Sequence, residues 1–221
     1  MAPLQIPSER RLMKKFSPYF LTLLLSLTCS FNALAYGPKM VCQYSADAKD
    51  IALQWTGFKF TEKTPVKGKF TQVKLDGKTS AKSLVELMKN WTADIDASSV
   101  ESNDPVRNKN LKESFFAKFA PASQIHATTI KAVGTEVKGV LTVQIKMNGV
   151  TRNVPFTYTA TPEGAVEAKG SIDLMDYSLK SAVDSLHTTC QTQHTGKDGV
   201  SKTWSQVDLL LTGKFEKKCP S

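Results

Sequence analysis

From Val140 to Thr159 the chain reads VLTVQIKMNGVTRNVPFTYT. Leu141, Val143, Ile145 and Met147 alternate with Thr142, Gln144, Lys146 and Asn148, the period of a strand with one dry and one wet face. Asn148-Gly149 supplies two residues that tolerate positive φ, as a two-residue hairpin turn needs. Val154, Phe156 and Tyr158 then alternate again. Two half-dry strands joined tightly must cover a shared apolar space, and what fills that space decides what the protein does.

The first 35 residues read differently. Arg10, Arg11, Lys14 and Lys15 form a basic head, Tyr19–Phe31 is an apolar run, and Ala33-Leu34-Ala35 has the small-x-small form of a cleavage site. That order is expected of a secretory signal peptide. The run is shorter than the ~20 residues a spanning helix needs. The expectation is therefore an exported chain, periplasmic or secreted, with no transmembrane anchor after cleavage. Residues 36–221 would form one domain, long enough for a sizeable core.

The whole chain carries a net charge of +9. Removing the leader's four basic residues and one acidic residue leaves +6. Lysines such as Lys59, Lys69 and Lys146 are scattered along strands, which suits a solvated sheet face rather than a nucleic-acid footprint. Three cysteines remain past the leader: Cys42, Cys190 and Cys219. An oxidising compartment favours a bridge, and an odd count leaves one thiol over. Cys42 with Cys219 would join the two ends if the first and last strands are neighbours; Cys42 with Cys190 is the alternative.

Strand-like segments dominate: 51–60, 66–75, 92–100, 123–133, 136–147, 152–161, 165–174 and 202–215. About eight strands at short spacing indicate an all-β antiparallel sandwich or barrel. Gly68 suggests a bend or bulge. A helix is expected over 80–91, with Ser80 as N-cap and Leu84, Leu87, Met88 and Trp91 on one face, able to plug a barrel end. A shorter helix is expected over 111–119 and a third over 179–194.

No catalytic set is spaced for chemistry, and no enzyme activity or catalytic cofactor is expected. Asp94 and Asp96 share one strand face, whereas glycosidase carboxylates flank a bond from separate elements. Gly196–Thr203 approaches a phosphate loop, but Ser201 stands where the second glycine belongs and a strand follows instead of a helix. A metal is the sharper alternative: His187, Cys190 and His194 fall on one helical face with zinc-type donors. His126 stands alone on a strand and reads as structural.

The remaining candidate is the interior. Phe58, Phe60, Phe70, Leu141, Val143, Ile145, Phe156, Tyr158, Ile172, Leu174, Val207, Leu209 and Leu211 are the inward positions of the strands. Leu84, Leu87, Trp91, Phe115 and Phe116 come from the helical caps. An eight-stranded barrel holds either packed side chains or one small ligand. A filled core would leave a structural envelope protein with a protein partner.

Several segments together resemble the YceI-like family of exported, lipid-binding proteins. Trp55-Thr-Gly-Phe-Lys-Phe60 followed by Val66-Lys-Gly-Lys-Phe70 resembles its opening strand pair. Ser98-Ser-Val100, Arg107, Leu111-Lys112 and Phe115-Phe116 resemble its central signature. Gly139-Val-Leu-Thr142 with Asn148-Gly-Val-Thr151 resembles its hairpin, and Ile172-Asp173 with Tyr177 the following strand. The likeness spans nearly all of residues 42–219, and members with Cys near both ends and a pattern like Cys190, His194 and Lys202-Thr-Trp204 are most similar. Asn108 and Asn110 stand where the family has Asp and His, which leaves Arg107 needing another acceptor. The polar stretch 187–203 is longer than usual. The resemblance implies an extended, lipocalin-like, eight-stranded barrel with one to three short helices. It also implies an elongated cavity for a polyisoprenoid, quinone or similar long-chain amphiphile, and allows a homodimer. The inward strand positions and Phe115-Phe116 would line that cavity.

Overall fold

The computed structural model describes residues 41–120 and 124–220. The expected leader over 1–35 lies outside them. The hairpin read from Asn148-Gly149 is present: β9 (Lys138–Met147) pairs antiparallel with β10 (Val150–Ala160), from Met147↔Val150 up to Lys138↔Thr159. Both turn residues take positive φ, 50° and 74°, the twist that a type I′ turn shares with its strands.

The ladder continues on both sides. β8 (Gln124–Gly134) pairs with β9, and β11 (Ala165–Asp173) joins β10 to β12 (Gln206–Lys218). β12 pairs in turn with β2 (Ala52–Lys59), and β2 with β3 (Thr64–Phe70). The ring is closed by one sharply bent pair. β3 runs on after Thr71-Gln72 as β4 (Val73–Asp76), while β6 (Thr92–Asp96) runs on as β7 (Val100–Glu101). β3 pairs with β7, β4 with β6, and β6 with β8. At the corner Thr71 N donates to Ser99 O at 3.0 Å, Gln72 N to Ser99 Oγ at 3.0 Å and Asp96 N to Gln72 O at 3.1 Å. The sheet has twelve strands in all, and counting each bent strand once leaves eight in the wall. The all-β antiparallel barrel class is as expected, with a few more strands than expected.

The bend corrects two expectations. Segments 66–75 and 92–100 are each broken, and the irregularity is not at Gly68. From Phe70↔Val100 to Val73↔Ile95 one side advances three residues and the other five. The surplus sits in a 3₁₀ turn, Ala97–Ser99, where the Asp96 carboxylate accepts from Ser98 N at 2.9 Å.

β1 (Gln43–Ala46), absent from the sequence reading, pairs with the far end of β12 and with the two-residue β5 (Ser80–Ala81). Because Gln43 lies opposite Lys218, the neighbouring Cys42 and Cys219 meet, and they form the disulfide. First and last strands are indeed neighbours. The alternative with Cys190 is excluded, since Cys190 is a free, buried thiol.

The helices are shorter than expected. α1 covers only Leu84–Leu87, capped by Ser83, not Ser80, whose Oγ accepts from Glu86 N at 3.1 Å. Asn90 at φ 66° turns the chain into β6, so the apolar stripe survives while the helix does not reach Trp91. α2 (Pro105–Asn110) starts earlier than expected, with Asp104 as N-cap and Pro105 in the first turn, where its missing N–H costs nothing. It runs on through a widened π turn, Leu111–Phe115, and a 3₁₀ turn, Phe116–Lys118. α3 is Lys180–Thr189, followed by a separate turn at Thr192–His194. Among the described residues no helix is long and apolar enough to cross a membrane.

Candidate ligand cavity

Period-two alternation sends every second strand residue inward. On β12 the inward series is Val207, Leu209, Leu211 and Gly213; on β9 it is Leu141, Val143, Ile145 and Met147, and all eight face one cavity. The cavity has a volume of about 800 Å³, near the upper end for small-molecule sites. Val207 to Gly213 is six strand steps, so the space extends roughly 20 Å along the barrel. Several inward residues, among them Val143, Ile172, Leu209 and Leu211, are only partly buried. They pack against the core on one side and border the cavity on the other, which speaks against the filled-core alternative.

Wide rings line this space without blocking it because they lie over glycines. Trp55 and Gly68 are direct partners across the β2–β3 ladder, and a Cβ on Gly68 would overlap the indole. The ring of Phe156 lies over Gly170 and that of Trp91 over Gly77, one step beyond the pairs Thr157↔Lys169 and Asp76↔Thr92; a Cβ on either glycine would collide with the ring. Gly68 is therefore a seat for an aromatic side chain.

Of the eighteen expected lining residues, sixteen border the cavity: Phe58, Phe70, Leu84, Leu87, Trp91, Phe115, Phe116, Leu141, Val143, Ile145, Phe156, Ile172, Leu174, Val207, Leu209 and Leu211. Two do not. Phe60 lies in the β2–β3 turn at φ 62°, its carbonyl accepting from Trp204 Nε1 at 2.7 Å. Tyr158 is fully buried at the end of the barrel, where its hydroxyl donates to Thr135 O at 2.6 Å and its ring covers Gly139. Phe115, Phe116 and Phe119 form an edge-to-face cluster with centroids 4.9–5.3 Å apart, which walls one side. Trp55, Met88 and Trp204 were missed as lining; for Trp55 the signal was its phase with Leu53.

One end of the cavity is polar. Lys59, Arg107, Asn110, Gln193, His194 and Thr203 border it, with Asp104 as the acidic member of that group. The acceptor sought by Arg107 is Asp104, at 3.2 Å, joined by Ser102 O at 3.2 Å. Asn108 instead accepts from Ser102 N and Oγ at 2.8 and 2.7 Å. Asn110 Nδ2 donates to Cys190 Sγ at 3.4 Å. Burial pushes the Cys190 thiol up despite that donor and the nearby cations. Burial first, then the charges of Lys59, His187 and Arg107, lowers His194 to about 4, so its ring is neutral at ordinary pH.

The metal alternative fails on geometry. His187 and His194 both turn Nδ1 to Thr203 Oγ1, at 3.1 and 2.6 Å, while Cys190 is held by Asn110. Among the described residues no three metal-ligating side chains converge. Asp94 pairs with His126 at 2.6 Å, both well exposed, and Asp96 caps a turn, so neither carboxylate reaches the cavity. The loop resembling a phosphate site is a tight turn bridged at Thr195↔Ser201.

The YceI-like domain model matches residues 44–204. The chain belongs to the YceI-like family. Three solved structures share the YceI-like fold. A polyisoprenoid-binding domain from Saccharophagus degradans, implicated in plant cell wall breakdown, aligns at TM-score 0.53 and 18% identity, over 80% of this chain and 98% of that one. BcnA of Burkholderia cenocepacia aligns at 0.53 and 13%, over 77% and 99%. The YceI protein of Campylobacter jejuni aligns at 0.50 and 19%, over 72% and 86%. No protein with a curated description matches this YceI-like chain in sequence.

Proposed function

We propose that this YceI-like domain is an exported, non-catalytic carrier for a polyisoprenoid, quinone or similar long-chain amphiphile, working in the periplasm. The observation that carries the reading is the elongated, mostly apolar cavity of about 800 Å³, with the polar cluster of Lys59, Arg107, Asn110, Gln193, His194 and Thr203 on its lining. A hydrocarbon tail leaving water gains about 0.8 kcal/mol per buried CH₂, so ten such groups bring about 8 kcal/mol before the costs of association. Leu209, Leu141, Val143, Ile145, Phe156, Phe115 and Phe116 would hold the tail by contact alone. Lys59, Arg107 and Asn110 would meet the head. No bond is made or broken, and any redox chemistry would belong to the ligand.

The disulfide between Cys42 and Cys219 supports an oxidising compartment. The binding of polyisoprenoid by the Saccharophagus domain supports the ligand class. Organic extraction of natively purified protein followed by mass spectrometry tests the reading. A long-chain lipid recovered in near-stoichiometric amount is expected. Repeated recovery of none, with no binding of a long-chain quinone, would overturn it.

A further inference from the structure

The β8–β9 hairpin carries an apolar tip that is left exposed among the described residues. Val133 and Val140 are direct partners on its outer face, 55% and 43% exposed, and Val137 at the turn is 62% exposed. A bulge puts Val133 there. Between Thr129↔Val143 and Lys131↔Thr142 the register takes up one extra residue, Ile130, itself 39% exposed. That slip reverses the faces of the residues beyond it.

The tip is rigid. Thr135 Oγ1 accepts from Val137 N and Lys138 N at 3.2 and 3.3 Å, and Val137 O accepts from Ala160 N at 2.7 Å. Val137 is thus held outward and does not fold back onto the sheet. Among the described residues Lys131 and Lys138 flank the valines with no ion-pair partner, whereas the acid in the turn, Glu136, is taken by Lys217 at 2.7 Å. The surface is apolar with an uncancelled positive collar. It also stands at the barrel end where Lys49, Gly213 and Lys214 border the cavity, since β10, β11 and β12 align Ala160, Val166 and Gly213 in one row.

We infer that this hairpin tip is a docking element for an anionic lipid bilayer. A few apolar side chains entering the interface, ringed by lysines, are what shallow membrane binding requires. A second copy of the chain fits worse. Four partly exposed aliphatic residues fall far short of the ~800 Å² per partner of a stable interface, and a two-fold contact would set like-charged lysine collars against each other. Docking at this end brings the part of the cavity bordered by Lys49, Gly213 and Lys214 to the membrane.

The test is flotation of the exported protein with vesicles of phosphatidylethanolamine and phosphatidylglycerol, compared with pure phosphatidylcholine. The anionic vesicles should bind the protein, and 0.5 M salt should release it. Lys131→Gln with Lys138→Gln should weaken binding about tenfold. Val133→Ser, Val137→Ser and Val140→Ser together should weaken it similarly, and Val137→Ser alone, at a well-exposed turn position, keeps the test alive if the triple variant unfolds. Val200→Ser, an exposed valine elsewhere, should bind as the parent does. Equal binding to both vesicle types, no effect of the hairpin changes, or a dimer that the serine variant abolishes would each overturn the inference. The outcome is independent of the carrier reading: vesicle binding with an empty cavity would leave this inference standing and remove that one.

Discussion

The indole of Trp55 occupies the space where Gly68, its partner across the β2–β3 ladder, would carry a side chain. The ring therefore lies along the barrel wall instead of crossing the lumen. Gly68→Ala forces a choice between shifting the strands and turning the ring inward. Overpacking of this kind costs about 1–3 kcal/mol. The expected outcome is a lower melting temperature together with reduced capacity for a long-chain ligand, measured by thermal unfolding and by quinone titration. A Trp55→Leu change made with Gly68→Ala should recover the stability.

Leu209 and Val143 face the lumen and are only partly buried, so added volume there meets space rather than neighbours. Leu209→Trp or Val143→Phe should leave the melting temperature unchanged or raised while lowering ligand affinity at least tenfold. Had the barrel been packed, the same changes would cost stability by about 1–3 kcal/mol. Isothermal titration alongside calorimetric melting separates the two outcomes.

Cys190 borders the polar end of the cavity and is 5% exposed. A thiol reagent should modify it slowly in the folded protein and more slowly still when the cavity is loaded. Protection by ligand, followed by the rate of colour release from an aromatic disulfide reagent, checks this. Equal rates with and without bound lipid would mean that the head group rests elsewhere.

The Cys42–Cys219 bridge spans 177 residues of sequence, a closure whose loss restores about 5 kcal/mol of chain entropy to the unfolded state at most. Cys42→Ser with Cys219→Ser should lower stability by about 2–5 kcal/mol. β1 should fray first, seen as faster amide exchange at 43–46, because it is held by the end of β12 and the two-residue β5.

His194 has its pKa lowered to about 4 by burial and by nearby positive charge, against about 6.5 in the unfolded chain. Above pH 6.5 both states are neutral and the group is silent. Between pH 6.5 and 4 the unfolded state binds the extra proton, so stability falls as pH falls. Allowing for solvent screening of a half-buried ring, the loss is about 1 kcal/mol. His194→Gln should flatten the acid side of a plot of melting temperature against pH in this window.

Strand content, inward faces and the tightest turn were legible because they are local. Alternation in 140–159 reports which side chains share a face, and Asn148-Gly149 reports a turn that few other pairs adopt. Sixteen of the eighteen expected lining residues border the cavity, those on strands because of that local alternation. Phe60 and Tyr158 fit the same local pattern but leave the wall. Phe60 sits one residue past the end of β2 in a left-handed turn, and Tyr158 finds a backbone acceptor at Thr135. The helix over 80–91 carried a correct stripe, yet propensity over four residues could not hold the chain once Asn90 turned it toward β6.

Residue order alone settled which groups are apolar and which way each strand presents them, since both follow from composition and a two-residue period. Only the assembled barrel settled that the space between them is open. Hollow and filled interiors share one alternation; they differ in the bend at Thr71-Gln72 and in the pairing of rings with glycines far apart in the chain. Those are relations between strands, set by register across the sheet, and no single segment contains them.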